Sequence, residues 1–231
     1  MVFGSAVNGH CISKLFSFPY FVRSTANLQY PLSNPSVVYI KSSCLYSSSS
    51  NLISFVGNNN LTSVISTTIT IISWVKVINT SIRSIIFDKY QSPALPAGYV
   101  LEVGTASGLW TNTIRFYAIG STGNGWDPRG ASNAIQQNIP FMASITLDRS
   151  AEQFAMYLNN SSISYTQGGG TLAQLASNWA TGTNVYTLGS YRPDFAIDSN
   201  MYQYNLLVYN RYLSAQEITQ NYNSLKLRFG L

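Results

Sequence analysis

Charged residues make up only 9% of this 231-residue chain, against about 25% in ordinary soluble domains. Its surface must therefore be built largely from Ser, Thr, Asn, Gln and Tyr. Such a surface has little colloidal repulsion. It suits a protein locked among neighbours or one working outside a cell. The 13 Lys and Arg outnumber the 8 Asp and Glu, giving a net charge of +5. They are scattered without a basic run, whereas nucleic-acid binding calls for a clustered basic face; no nucleic acid is expected as a partner. There is one histidine, His10, with no acid nearby, so no histidine-based catalytic constellation is legible and the chain is expected not to be an enzyme. The two cysteines, Cys11 and Cys44, could pair or remain two thiols. Neither belongs to a Cys-x-x-Cys metal knuckle. No apolar run reaches the roughly 18 residues of a membrane span. The first twenty residues lack the basic start and unbroken apolar core of a signal peptide.

What is present points to a β-protein. Hydrophobic residues reach 45%, enough for one sizeable core. The tail, Met201 to Leu231, holds the clearest local signals. Tyr202, Tyr204, Leu206 and Val208 occur at every second position and are predicted to share one face of a half-buried strand. Leu213-Ser214-Ala215-Gln216-Glu217-Ile218 then carries a capping box, Ser214 and Glu217, inside a hydrophobic staple of Leu213 and Ile218. Ile218, Tyr222 and Leu225 follow at helical spacing. Lys226 and Arg228 lie near the helix end, where cations suit its dipole. The last residues, Phe229 to Leu231, are expected to reach a partner.

Upstream, residues 1–50 read as an irregular arm that packs on the domain or on a partner, with one short strand at Ser36–Ile40. Residues 51–231 read as the domain itself. Strands are predicted at Leu52–Phe55, Ile69–Lys76, Ile85–Phe87, Tyr99–Val103, Ile114–Ile119, Phe141–Leu147, Phe154–Leu158 and Val185–Ser190, separated by Gly, Pro and Asn clusters. Gly120–Gly130 reads as a long exposed loop, the kind of segment that often carries binding residues. Trp74 sits in mid-strand, where tryptophan is usually core.

Several segments resemble concanavalin A-like, laminin-G-like jelly-roll domains. They are Val208–Ile218 (VYNRYLSAQEI), Ile69–Lys76 with Trp74, Met156–Asn160, Val185–Ser190 and the Phe55–Asn60 turn. The resemblance covers about residues 50–231 and implies an all-β, antiparallel two-sheet sandwich closed by a short C-terminal helix. The sequel Asn221–Leu231 is similar to the terminus of many tailed-phage virion proteins with this domain. That implies a non-enzymatic virion structural protein, capsid-associated or part of a fibre or tail. It would be assembled in the host cytoplasm, with other virion proteins and further copies of itself as partners. Glycosidases of related fold carry paired carboxylates on one strand; no such array occurs here. The alternative function is a carbohydrate-binding module for host glycans, since aromatic faces stack on sugar rings and Asn or Asp side chains bond hydroxyls. Trp110, Trp126 and Trp179 fall in or beside predicted loops, and Trp126-Asp127 with Arg129 forms the best cluster. The competing reading is that these aromatics are packed down or lie in a protein interface. Some relatives bind calcium in Asp/Asn-rich loops, which makes Asp194 and Asp198 the candidate Ca²⁺ ligands; ordinary loop polarity is the other explanation. No further cofactor is implied.

Overall fold

A computed structural model of the chain describes residues 37–47, 53–56, 68–89, 98–104, 111–119, 125–174, 185–188 and 200–231. Fourteen strands and one α-helix lie in these segments. The strands are β1 (Val37–Ser47), β2 (Ile53–Val56), β3 (Thr68–Val77), β4 (Ser84–Asp88), β5 (Gly98–Val103), β6 (Ile114–Ile119) and β7 (Gly125–Trp126). They continue with β8 (Pro128–Gly130), β9 (Phe141–Asp148), β10 (Gln153–Leu158), β11 (Ser161–Ile163), β12 (Tyr165–Gln167), β13 (Val185–Leu188) and β14 (Met201–Tyr209). The helix, α1, spans Ala215–Leu225.

The strands form two antiparallel sheets. The first has the order β1-β14-β3-β9-β10-β11 and the second β12-β8-β6-β5-β4-β13-β2, with β7 also paired to β6. This is the expected two-sheet sandwich with a C-terminal helix. Side-chain alternation along β3 and β9 explains how they pack. Ile69, Ile71, Val75 and Val77 of β3, and Ala143, Ile145 and Leu147 of β9, point between the sheets. There they meet Phe87, Tyr99, Leu101, Val103, Ile114 and Phe116 of the second sheet. The intervening residues Ile72, Trp74 and Met142 face outward and form a second apolar cluster with Leu213 and Ile218. The molecule thus has three layers: helix, sheet, sheet.

In one respect β14 departs from its pattern. Gln203 pairs with Val75 and Asn205 with Trp74, so Tyr204 is an extra residue on β14. Such a bulge shifts the side-chain alternation downstream. Tyr202, Tyr204, Leu206 and Val208 therefore do not share a face. Leu206 and Val208 enter the inter-sheet core, while Tyr204 lies against the helix-side cluster. Polar side chains fill the irregularity. The Asn205 Oδ1 accepts from the Trp74 N–H at 2.8 Å. Gln203 Nε2 donates to Ser73 Oγ at 3.0 Å and to the Ile86 carbonyl at 3.1 Å.

The helix start matches expectation. The Ser214 Oγ accepts from the Glu217 N–H at 3.3 Å, and Glu217 Oε2 accepts from the Ser214 N–H at 2.9 Å. Arg211 reinforces the box through a 2.6 Å ion pair with Glu217. Burial raises the Glu217 pKa, but the Ser214 and Arg211 hydrogen bonds outweigh that and hold it below the usual value. Ile218 is fully buried, and Tyr222 and Leu225 pack partly buried beside it. Of the last residues, Phe229 stacks on Trp74 at 4.4 Å, so its ring folds back onto the sheet, while Leu231 is exposed. Ser214→Ala should lower the unfolding free energy by about 1 kcal/mol. Urea denaturation checks this, and an unchanged midpoint would mean that the cap contributes nothing to docking.

Candidate functional site

Of the candidate site residues, Trp126, Asp127 and Arg129 are described. Trp110, Trp179, Asp194 and Asp198 lie outside the described residues, as do His10, Cys11 and the Phe55–Asn60 turn beyond Val56. Among the described residues, no group of three or more His, Cys, Asp or Glu is placed to hold a metal ion. Among them too, no helix is long and apolar enough to cross a membrane.

The structure corrects the expected exposed loop over its described part. Residues 125–130 include the paired strands β7 and β8, and Trp126 is only 1% exposed. Trp126 stands opposite Ala118 of β6, which turns its ring into the core. A buried indole offers no face to a sugar. The Asp127 backbone is tied to the Gly-rich segment after β12, donating to the Gly169 carbonyl at 3.2 Å and accepting from the Gly168 N–H at 2.8 Å.

Asp127 and Arg129 belong to a row of alternating charge on the outer face of the second sheet. Arg115 is directly opposite both Arg129 and Glu102. Two like charges facing one another across strands repel, and Asp127 resolves this by binding both. Its Oδ1 accepts from Arg115 Nε at 2.6 Å and its Oδ2 from Arg115 Nη2 at 3.1 Å. The same Oδ2 accepts from Arg129 Nε at 3.0 Å and also from Arg129 Nη2. Glu102 continues the row, with Oε1 2.6 Å from Arg115 Nη1 and Oε2 3.3 Å from Arg83 Nε. Burial by itself raises the Asp127 pKa; the hydrogen bonds and charges of Arg115 and Arg129 more than reverse this and hold it below the ordinary Asp value. For Arg115, burial opposes the charge, and bonds to Asp127 and Glu102 overcome it, so its pKa is raised. An Asp held ionised between two guanidiniums is a poor proton donor. The row is a structural lock rather than an acid–base pair.

Between the sheets runs a row of aromatic rings, contributed by the inner face of the second sheet and by Phe154 of β10 in the first. Phe87 lies 5.9 Å from Tyr99, Tyr99 6.1 Å from Phe116, and Phe116 6.2 Å from Trp126 and 5.7 Å from Phe154. The row ends on Tyr165 of β12, 5.2 Å from Phe154 and 6.4 Å from Trp126. Tyr165 is perpendicular to both, at 82° and 90°, and 40% exposed. Its surroundings are polar: Ser164, Thr166 and Gln167 are exposed. Gly130, opposite Tyr165, leads into an amide-rich loop in which Ser132, Asn133, Gln136, Gln137 and Asn138 are exposed. Backbone bonds strap that loop to the sandwich, from Asn133 N–H to the Thr111 carbonyl at 2.7 Å and from Asn138 N–H to the Val77 carbonyl at 2.8 Å. Ile135 plugs it into the core. Asn133 and Asn138 take positive φ of 61° and 65°, a conformation asparagine tolerates better than most residues.

Tyr165 is the functional candidate that sequence reasoning missed. Its only signal is an aromatic residue within an otherwise polar stretch, Ser164–Gln167.

Fold and site together define an antiparallel two-sheet β-sandwich with an outward-facing aromatic edge and a buried ionic row. No protein-family model and no curated protein matches the chain. Solved structures do match. The binding domain of botulinum neurotoxin DC, determined in complex with rat synaptotagmin II, aligns with a TM-score of 0.58 at 17% identity, over 79% of this chain and 42% of that one. The binding domain of Paraclostridial Mosquitocidal Protein 1 aligns at 0.58 and 14% identity, over 82% and 46%. The botulinum neurotoxin serotype D ligand-binding domain in complex with N-acetylneuraminic acid aligns at 0.57 and 15%, over 80% and 42%. At such identities the likeness is one of fold. This chain spans less than half the length of each of these three chains.

Proposed function

We propose that this chain is a non-catalytic carbohydrate-binding domain. The observation that carries this reading is its sandwich fold, shared with binding domains of toxins, one of them solved with N-acetylneuraminic acid. Two features of the chain support it. The surface is poor in charge and rich in hydroxyl and amide groups, which exchange hydrogen bonds with sugar hydroxyls. An exposed aromatic ring lies beside such groups, and sugar recognition combines an apolar contact with a few placed polar ones. A glycan array probed with the full chain tests the reading. Reproducible binding to a related set of oligosaccharides is expected, and no binding to any would overturn it. The virion role implied by the tail motif has no counterpart among the similar structures named above. It stands as a second reading, carried by the resemblance of the tail, Asn221–Leu231 above all, and by the low-charge surface, and mass spectrometry of purified particles tests it.

A further inference from the structure

We infer that the β12 edge around Tyr165 and Gln167 is the sugar-binding subsite, and that it takes a neutral pyranose. The inference rests on the carbohydrate-binding reading and adds its place and its ligand class. Tyr165 and Gln167 are two residues apart on β12, so they project on the same side of the strand, about 6.6 Å apart along it at about 3.3 Å per residue. That matches the dimension of one sugar ring. The C–H face of a pyranose would lie on the Tyr165 ring while the Gln167 amide exchanges hydrogen bonds with its hydroxyls.

The aromatic row behind it makes the ring a rigid platform. Phe154 and Trp126 abut Tyr165 perpendicularly, so neither covers it by parallel stacking, and Trp126 is itself fixed in the core. Binding would therefore lose little side-chain freedom at this residue. The class of sugar follows from where the cations are. Thr166, not Tyr165, is opposite Arg129, so the guanidiniums of Arg129 and Arg115 lie on the other face of the sheet. There both bind Asp127. Among the described residues, the guanidiniums of the strands beside β12 are thus on the face away from Tyr165 and engaged by a carboxylate, which suits an uncharged ligand.

Isothermal titration of the full chain with lactose, maltotriose, chitotriose and mannotriose, and with sialyllactose as the acidic arm, tests this. At least one neutral probe should bind, with affinity unchanged between low and high salt. Tyr165→Ala should weaken it about tenfold or more, as loss of an aromatic stack predicts. Tyr165→Phe should retain it, and Gln167→Ala should weaken it several-fold. Tyr165 is an edge residue, so circular dichroism of the variants should match the wild type; Gln167→Ala leaves the platform intact and reads the same site should Tyr165→Ala misfold. Neutral glycan binding untouched by both alanine variants would move the site elsewhere and leave the carbohydrate-binding reading standing. Binding of sialyllactose alone, lost in high salt, would overturn the neutral class. Binding of none of the probes, with an empty array, would overturn both.

Discussion

Asp127→Ala should lower the unfolding free energy by about 3–5 kcal/mol, as expected when one partner of a buried ion pair is removed. Asp127 is 6% exposed and bonds both Arg115 and Arg129. Without it, two guanidiniums placed directly opposite one another would lose the carboxylate that bridges them in a largely buried site. Denaturant titration at neutral pH reads the loss; a change under about 1 kcal/mol would mean that water already screens the row as on a surface. The pH dependence follows from the direction of the shift. The folded pKa of Asp127 lies below its value in the unfolded chain, which is about 3.9. Its contribution is therefore fully present above that pH and is lost as pH falls through the folded value. The stability gap between wild type and Asp127→Asn should stay constant from pH 7 to about pH 5 and close in stronger acid.

The second large effect is expected on the opposite side of the molecule. Trp74→Ala should lower stability by about 3–5 kcal/mol. Trp74 is fully buried between the first sheet and the returning chain end, with Phe229 stacked at 4.4 Å and Tyr222 at 5.5 Å. Removing the indole leaves both rings and Ile218 without the surface they dock on, so hydrogen exchange along α1 should accelerate more than in β9. Its indole N–H finds no partner among the described residues. Trp74→Phe, which keeps the stack and removes the buried donor, should therefore be clearly milder than Trp74→Ala. Equal losses in the two variants would mean that the stack is not what holds the helix.

Much of this architecture is legible in the sequence because its causes are local. Ile69–Lys76 alternates and is β-branched, so it reads as a strand whichever neighbours it finds. Ser214 and Glu217 form their box within four residues. The features that escape such reading depend on register between distant segments. Nothing in Tyr202–Val208 reveals that Tyr204 is an extra residue against β3; the bulge exists only in the pairing. Trp126 sits among glycines and asparagines that resemble a loop, and its burial depends on pairing with Ala118. The ionic row is assembled by Glu102 and Arg129 both standing opposite Arg115, and nothing in the sequence ties Glu102 or Arg115 to the Asp127 cluster. Tyr165 belongs to a three-residue strand, too short for periodicity to speak clearly.

A sugar bound as proposed above should meet the solvent end of the aromatic row. Chemical-shift mapping of the isotope-labelled chain, titrated with the neutral oligosaccharide it binds best, tests this most directly. The largest perturbations should fall on Tyr165, Thr166 and Gln167, with smaller ones in residues 132–138 and none on α1. Perturbations confined to α1 or to the Asp127 row, or a spectrum unchanged by every oligosaccharide, would contradict it.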